Sequence, residues 1–205
     1  MSITLTRVSK AFDGKQVLHN FSCTLPGQGV VAVMGKSGSG KSTLINLLLS
    51  LIKPDMGAVS VPDSLRFSAV FQDDRLMEHL SAYDNLRLTV PRKKSDLSNA
   101  LRMLGLNPSE RAPVRTYSGG MKRRVSLARG ILFPADVLLL DEPFRGLDAE
   151  TREHAMELLK REWRDRLIVL VTHDAEEARK LNAVQMITMG GGGNGRQGVS
   201  EANRD

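Results

Sequence analysis

The sequence has one cysteine, Cys23, in 205 residues, so no disulfide can form within the chain and packing alone must hold its core, as expected of a protein that folds in a reducing compartment. Long apolar runs are missing as well. No stretch approaches the roughly 18 residues a bilayer span needs, and the opening MSITLTRVSK has no apolar segment of the kind that leads a secreted chain. The expected location is the cytoplasm. Aromatic residues are scarce, at 4%, and none interleaves with the basic groups Arg92-Lys93-Lys94 and Lys122-Arg123-Arg124. The stacking surface that binds single-stranded nucleic acid is therefore absent from the pattern. A formal net charge of +6 suits nucleic acid, an acidic membrane surface or an anionic ligand, but a solvated basic face is the commoner cause of such runs, and no nucleic acid partner is expected.

What is present is alternation. Short strands are predicted around Ile3 to Val8 and Val17 to Thr24, and the apolar run Val30 to Met34, closing on Gly35, reads as a buried parallel strand. A helix is predicted from Lys41 to Leu51, a strand from Arg66 to Phe71, and a helical stretch from Ser81 to Leu132 broken by Pro91, Pro108 and Pro113. Strands Val137 to Leu140, Leu167 to Val171 and Val184 to Met189 then alternate with helices Ala149 to Arg164 and Ala175 to Leu181. This is the order of an α/β sheet covered on both faces. The middle helical block, residues 72–132, is expected as a subdomain inserted into one core made of residues 1–71 and 133–189. From Gly190 the chain runs GGGGNGRQGVSEANRD, too polar and glycine-rich to offset its ordering entropy, so residues 190–205 are expected to be a mobile tail.

Gly35-Lys36-Ser37-Gly38-Ser39-Gly40-Lys41-Ser42 fits the phosphate-loop pattern G-x-x-x-x-G-K-[ST] and lies between a predicted strand and a predicted helix, with Thr43 next on the helix. Glycines let backbone N–H groups converge on phosphate oxygens, and the helix N-terminus adds positive potential. Lys41 would reach the β- and γ-phosphates of ATP and Ser42 would ligate Mg²⁺. A metal bridging phosphates also needs a carboxylate at a strand end, which Asp141 supplies after Val137-Leu138-Leu139-Leu140. Successive strand side chains diverge, so Glu142 can face the attacking water as general base. His173, after the strand ending at Val171, sits where open α/β sheets bind ligands, and Gln72, just beyond Val70-Phe71, could hydrogen-bond water or Mg²⁺.

These residues in this order resemble an ATP-binding cassette subunit, the added mark being Ser118-Gly119-Gly120 at a helix start, followed by Arg124, Val125, Leu127, Ala128 and Arg129. The resemblance covers roughly Ile3 to Met189. It implies a P-loop NTPase (RecA-like) core with a small N-terminal antiparallel β subdomain and an inserted helical subdomain. It implies ATP hydrolysis by a head-to-tail dimer in which Ser118, Gly119 and Gly120 close on ATP held by the partner's phosphate loop. By the same resemblance Phe12 stacks on adenine, Asp148 of Gly146-Leu147-Asp148 crosses the interface, and Gln72 links the nucleotide site to the subdomain where a membrane permease docks. Val70-Phe71-Gln72-Asp73-Asp74-Arg75-Leu76 and Asp141-Glu142-Pro143-Phe144 look like the nitrate, sulfonate, taurine or thiamine uptake ATPases. That implies an importer subunit on the cytoplasmic face of the membrane, a homodimer serving permease subunits and a solute-binding protein. A soluble cassette acting on DNA or ribosomes, and an efflux or lipid-release cassette, are the competing readings. The chain departs from the family at Tyr117 and Met121, where Leu and Gln are usual, and at Arg145, which puts a long cation where a small residue is usual.

Overall fold

The computed structural model describes residues 2–190 and 198–201. In chain order its elements are β1 (Ile3–Phe12), β2 (Lys15–Leu25), β3 (Gly29–Gly35), α1 (Lys41–Leu48), β4 (Met56–Ser60), β5 (Phe67–Val70), α2 (Ala82–Arg87), α3 (Lys94–Met103), a 3-10 turn at Val114–Thr116, α4 (Gly119–Leu132), β6 (Val137–Asp141), α5 (Ala149–Glu162), β7 (Leu167–Val171), α6 (Ala175–Lys180), β8 (Ala183–Met189) and β9 (Gly198–Glu201).

Two sheets form. The larger has the order β5-β6-β7-β3-β8-β9, parallel except for β9, which runs antiparallel on the edge. The smaller, β2-β1-β4, is antiparallel. Its hairpin turns at Asp13-Gly14, both with positive φ (48° and 76°), as the twist of a tight hairpin requires.

Because β6 and β7 are buried along their whole length, their alternate side chains feed two cores. Leu138, Leu140, Ile168 and Leu170 face one, with α2 to α5 (Leu86, Leu101, Leu127, Leu158). Val137, Leu139, Val169 and Val171 face the other, with α1 and the antiparallel sheet (Leu44, Leu48, Leu5, Leu18). The sheet is thus covered on both sides, and its carboxyl edge is left for the loops that follow β3, β5, β6 and β7.

The expected helical block is three helices and a 3-10 turn, leaving the sheet after β5 and returning at β6, its hydrogen-bonded neighbour. Two features differ from the expectation. β4 had no signal, since four of its five residues are exposed. In the expected tail, Gly198–Glu201 pair with β8; the other tail residues beyond Gly190 lie outside the described residues. Among the described residues, no helix is long and apolar enough to cross a membrane.

Candidate functional site

The loop from Gly35 to Gly40 joins β3 to α1, and its glycines are needed for different reasons. At Gly35 (φ 154°) a Cβ would lie 2.4 Å from the Met189 carbonyl oxygen at the end of β8. Gly40 caps α1 at φ 97°, where a Cβ would meet Val17 at 2.9 Å. The small sheet therefore packs directly over the loop. No side chain caps α1, so the donors of its first turn point outward with the positive end of the helix dipole. Lys41, itself buried, turns back and donates to the Gly35 and Lys36 carbonyl oxygens (2.8 and 3.0 Å). It makes no direct ion pair among the described residues, so its ammonium is hydrogen-bonded only to neutral oxygens, with the Asp141 charge acting on it from nearby, and a cation so placed at a helix N-terminus suits an anion site. The buried Ser39 hydroxyl oxygen has no hydrogen-bond partner among the described residues.

Beside this loop, the Ser42 hydroxyl donates to Asp141 Oδ2 at 2.7 Å. Burial pushes the Asp141 carboxyl above its ordinary range, with the nearby Glu142 charge adding to the effect and the Ser42 hydrogen bond opposing it. Two hard oxygen donors in contact, next to a loop built for phosphate, suit Mg²⁺, which takes one or two protein ligands and completes its shell with phosphate and water. Among the described residues no group of three or more His, Cys, Asp or Glu gathers to hold a metal, so an ion bound here would take most of its shell from those sources.

Glu142 follows with φ 45°, a left-handed conformation that costs a non-glycine residue about 1–2 kcal/mol. Its amide bonds the Val171 carbonyl oxygen (2.9 Å), while its carboxylate lies 3.7 Å from His173 Nδ1 and 3.5 Å from an Arg145 guanidinium nitrogen. The structure thus gathers Lys41, Ser42, Asp141, Glu142 and His173, drawn from three loops at the carboxyl edge of the sheet. His173 is 71% exposed, free to meet a ligand.

Other expected site residues make no hydrogen bond or ion pair with the loop among the described residues. Gln72 is exposed, and its side chain is hydrogen-bonded to none of the described residues. Phe12, 45% exposed, lies at the end of β1 under the Lys10 ammonium, 5.5 Å from the ring centre. Ser118 caps α4, accepting from the Met121 amide (3.3 Å); a Cβ on Gly119 would meet nothing within 4 Å, and one on Gly120 only the Gly146 carbonyl oxygen at 3.7 Å. Asp148 caps α5, accepting from the Thr151 amide (2.8 Å) and hydroxyl (2.9 Å), bonds that hold its carboxyl below the usual carboxylate range. No hydrogen bond or ion pair joins Ser118, Gly119, Gly120 or Asp148 to the Gly35–Ser42 loop among the described residues. The same chain therefore carries two anion-type helix termini, on α1 and α4, that do not meet within it.

One residue with many contacts went unread in the sequence. Arg123 is buried and donates to the carbonyl oxygens of Asp141 (2.8 Å), Glu142 (2.7 Å) and Pro143 (3.0 Å), as well as to the loop after β5. The signal was there: Arg123 shares the i, i+4, i+8 stripe of α4 with Leu127 and Ile131, and a charge in an apolar stripe calls for buried acceptors.

A family model described as ABC transporter matches residues 18–145. The aliphatic sulfonates import ATP-binding protein SsuB 1 of Paracoccus denitrificans is 42% identical over 183 residues, covering 86% of this chain and 75% of its own. The spermidine/putrescine import ATP-binding protein PotA of Mesoplasma florum is 32% identical over 198 residues, covering 88% and 57%. Among solved structures, the dimeric structure of MJ0796, a bacterial ABC transporter cassette, superposes with a TM-score of 0.78 at 29% identity, over 91% of this chain and 94% of that one. A bacterial Atm1-family ABC exporter with ATP bound has a TM-score of 0.80 at 21% identity, over 92% of this chain and 37% of that one, a likeness of fold alone.

Proposed function

The chain belongs to the ABC transporter family as an ATP-binding, ATP-hydrolysing cassette, and from that premise we propose that it is the energy subunit of an importer for a small solute. It works as a head-to-tail homodimer beneath a membrane permease, on the cytoplasmic face of the membrane, with a solute-binding protein delivering the cargo. What carries the proposal is the pairing of a near-complete hydrolytic set, Lys41, Ser42, Asp141 and Glu142, with a second anion-type turn at Ser118 that, among the described residues, makes no hydrogen bond or ion pair with that set.

In this reading the Lys41 ammonium exchanges its two loop carbonyls for β- and γ-phosphate oxygens, while the α1 N–H groups and the glycine backbone cradle the rest. Ser42 and Asp141 would hold Mg²⁺, aided by Gln72, and the bound ion would neutralise phosphate charge. Phe12 stacks on the adenine. Glu142 takes a proton from the attacking water as its oxygen bonds to the γ-phosphorus and the bond to the β-γ bridging oxygen breaks, releasing ADP and phosphate. His173 contacts the γ-phosphate from the next strand end. Ser118, Gly119 and Gly120, with Asp148 beside them, close on the partner's ATP, so each site is built from two subunits.

The test is Glu142→Gln, which removes the base and keeps its shape. In saturating ATP and Mg²⁺ it should run at twice the monomer mass and hydrolyse at least 100-fold more slowly; a monomer under those conditions contradicts the reading. Co-purification with a permease separates the importer from a soluble cassette.

A further inference from the structure

Arg123 stands on α4 downstream of the Ser118 cap. Its guanidinium offers five N–H donors in a rigid planar fork, and all of them have acceptors. Nε donates to the Pro143 carbonyl oxygen at 3.0 Å, and Nη2 to those of Asp141 and Glu142 at 2.8 and 2.7 Å. Nη1 donates to the Phe71 carbonyl oxygen at 2.5 Å, with Asp74 Oδ1 at 3.3 Å and the Gln72 carbonyl oxygen at 3.5 Å. One buried side chain therefore joins the loop after β5 to the loop after β6.

Three consecutive carbonyls on one donor group are incompatible with a regular strand, where successive carbonyls point to opposite sides. They converge here because Glu142 turns left-handed (φ 45°). The same turn decides where the Glu142 carboxylate goes. The Glu142 amide remains tied to Val171 on the neighbouring strand, so loss of the fork would free the carbonyl side of residues 141–143 while leaving the strand register in place.

We propose that Arg123 is the positioning residue that holds Glu142 in its working conformation and makes that conformation depend on the placement of α4, whose first turn carries Ser118. The proposal rests on Glu142 being the general base. Arg123 acts through backbone, not on substrate. Lysine cannot replace it: three donors on one nitrogen cannot span Phe71 to Pro143, and glutamine has only two. Since α4 begins at the turn that would meet the partner's nucleotide, a shift of α4 on closure reaches Glu142 through one rigid group, and hydrolysis in one site becomes contingent on the other.

The experiment uses the full chain and three substitutions, Arg123→Lys, Arg123→Gln and Asp74→Asn, with binding of a fluorescent ATP analogue, steady-state phosphate release and thermal melting. Arg123→Lys should keep analogue affinity within about twofold and lower kcat about 10- to 100-fold, with Arg123→Gln at least as slow. Added to Glu142→Gln, Arg123→Lys should change the residual turnover by less than about threefold, because the base it positions is already gone; general structural damage would multiply the two losses. Asp74→Asn removes the charge partner but none of the carbonyl contacts, so its kcat should stay within about threefold of the parent, a result that stands even if the Arg123 variants do not fold. Parental kcat in Arg123→Lys, multiplying losses in the double variant, or an Asp74→Asn variant as slow as Arg123→Lys would each overturn the proposal. If Glu142→Gln itself turns over at the parental rate, the site reading fails whatever Arg123 does.

Discussion

Replacing Gly119 by aspartate should strengthen the isolated subunit while abolishing its activity. In the single chain nothing requires glycine there: the residue has no positive φ and a Cβ would project into open space. Losing glycine's unfolded-state freedom is worth about 0.4–1 kcal/mol. α4 has no acidic residue in its first turn, so a carboxylate there adds roughly 0.3–1 kcal/mol against the helix dipole. A net gain of about 1 kcal/mol corresponds to a Tm rise of roughly 2–4 °C for a chain of this size. If the open space is where the partner's triphosphate comes to rest, the same carboxylate sits about 5 Å from a phosphate oxygen. At an effective dielectric constant near 20 that repulsion is about 3 kcal/mol per unit charge, more than 100-fold in the stability of an ATP-bridged dimer. Melting curves without nucleotide, phosphate release, and the mass of Glu142→Gln/Gly119→Asp in ATP measure the three quantities. A variant that hydrolyses within twofold of the parent, or whose Tm falls by several degrees, refutes the reasoning.

Asp141→Asn should raise the nucleotide-free Tm by about 2–4 °C, on the order of 1 kcal/mol, because burial disfavours the charged carboxyl and the neutral amide can still accept from Ser42; MgATP hydrolysis should fall at least 100-fold. Gly130→Ala places a Cβ 2.4 Å from Val70, between α4 and β5, and should cost about 1–3 kcal/mol, read as a lower urea midpoint. Burial pushes the Cys23 thiol up to about 12, and burial together with Glu110 pushes the Tyr117 hydroxyl up to about 12. Both groups keep protons in the folded chain that the unfolded chain releases at lower pH. Their contribution to stability is thus complete below pH 8 and lost as pH climbs toward 12, so the Tm should fall between pH 8 and 10.5. Native Cys23 should resist a thiol reagent at pH 8 and react fully in denaturant.

The parallel strands of the larger sheet were legible because they are short apolar runs punctuated by turn residues and motifs, and Val30 to Met34 and Val137 to Leu140 could be little else, whereas β9, Gly198–Glu201 inside a polar glycine-rich stretch, was not. The phosphate loop, Asp141 and Glu142 followed from their position at strand ends. β4 was not legible: Met56–Ser60 is mostly exposed, and its pairing with β1 depends on Gly57 (φ 81°), where a Cβ would lie 2.3 Å from the Arg7 and 2.4 Å from the Thr6 carbonyl oxygen, a tertiary fact without a local pattern. Arg123 looked like one member of a surface basic run, since the sequence shows its neighbours Lys122 and Arg124 but not the backbone turn at Glu142 that collects its acceptors.

The helical excursion departs from β5 and re-enters at β6, strands that lie side by side. The pairing is parallel, so the chain leaves at the carboxyl end of β5 and re-enters at the amino end of β6; the sheet fixes that span whatever the length or shape of the chain between, and doubling that length would change the closure entropy by only about 0.6 kcal/mol. Such a graft point lets the inserted helical block change in length or shape while the parallel strands on either side of it keep their register.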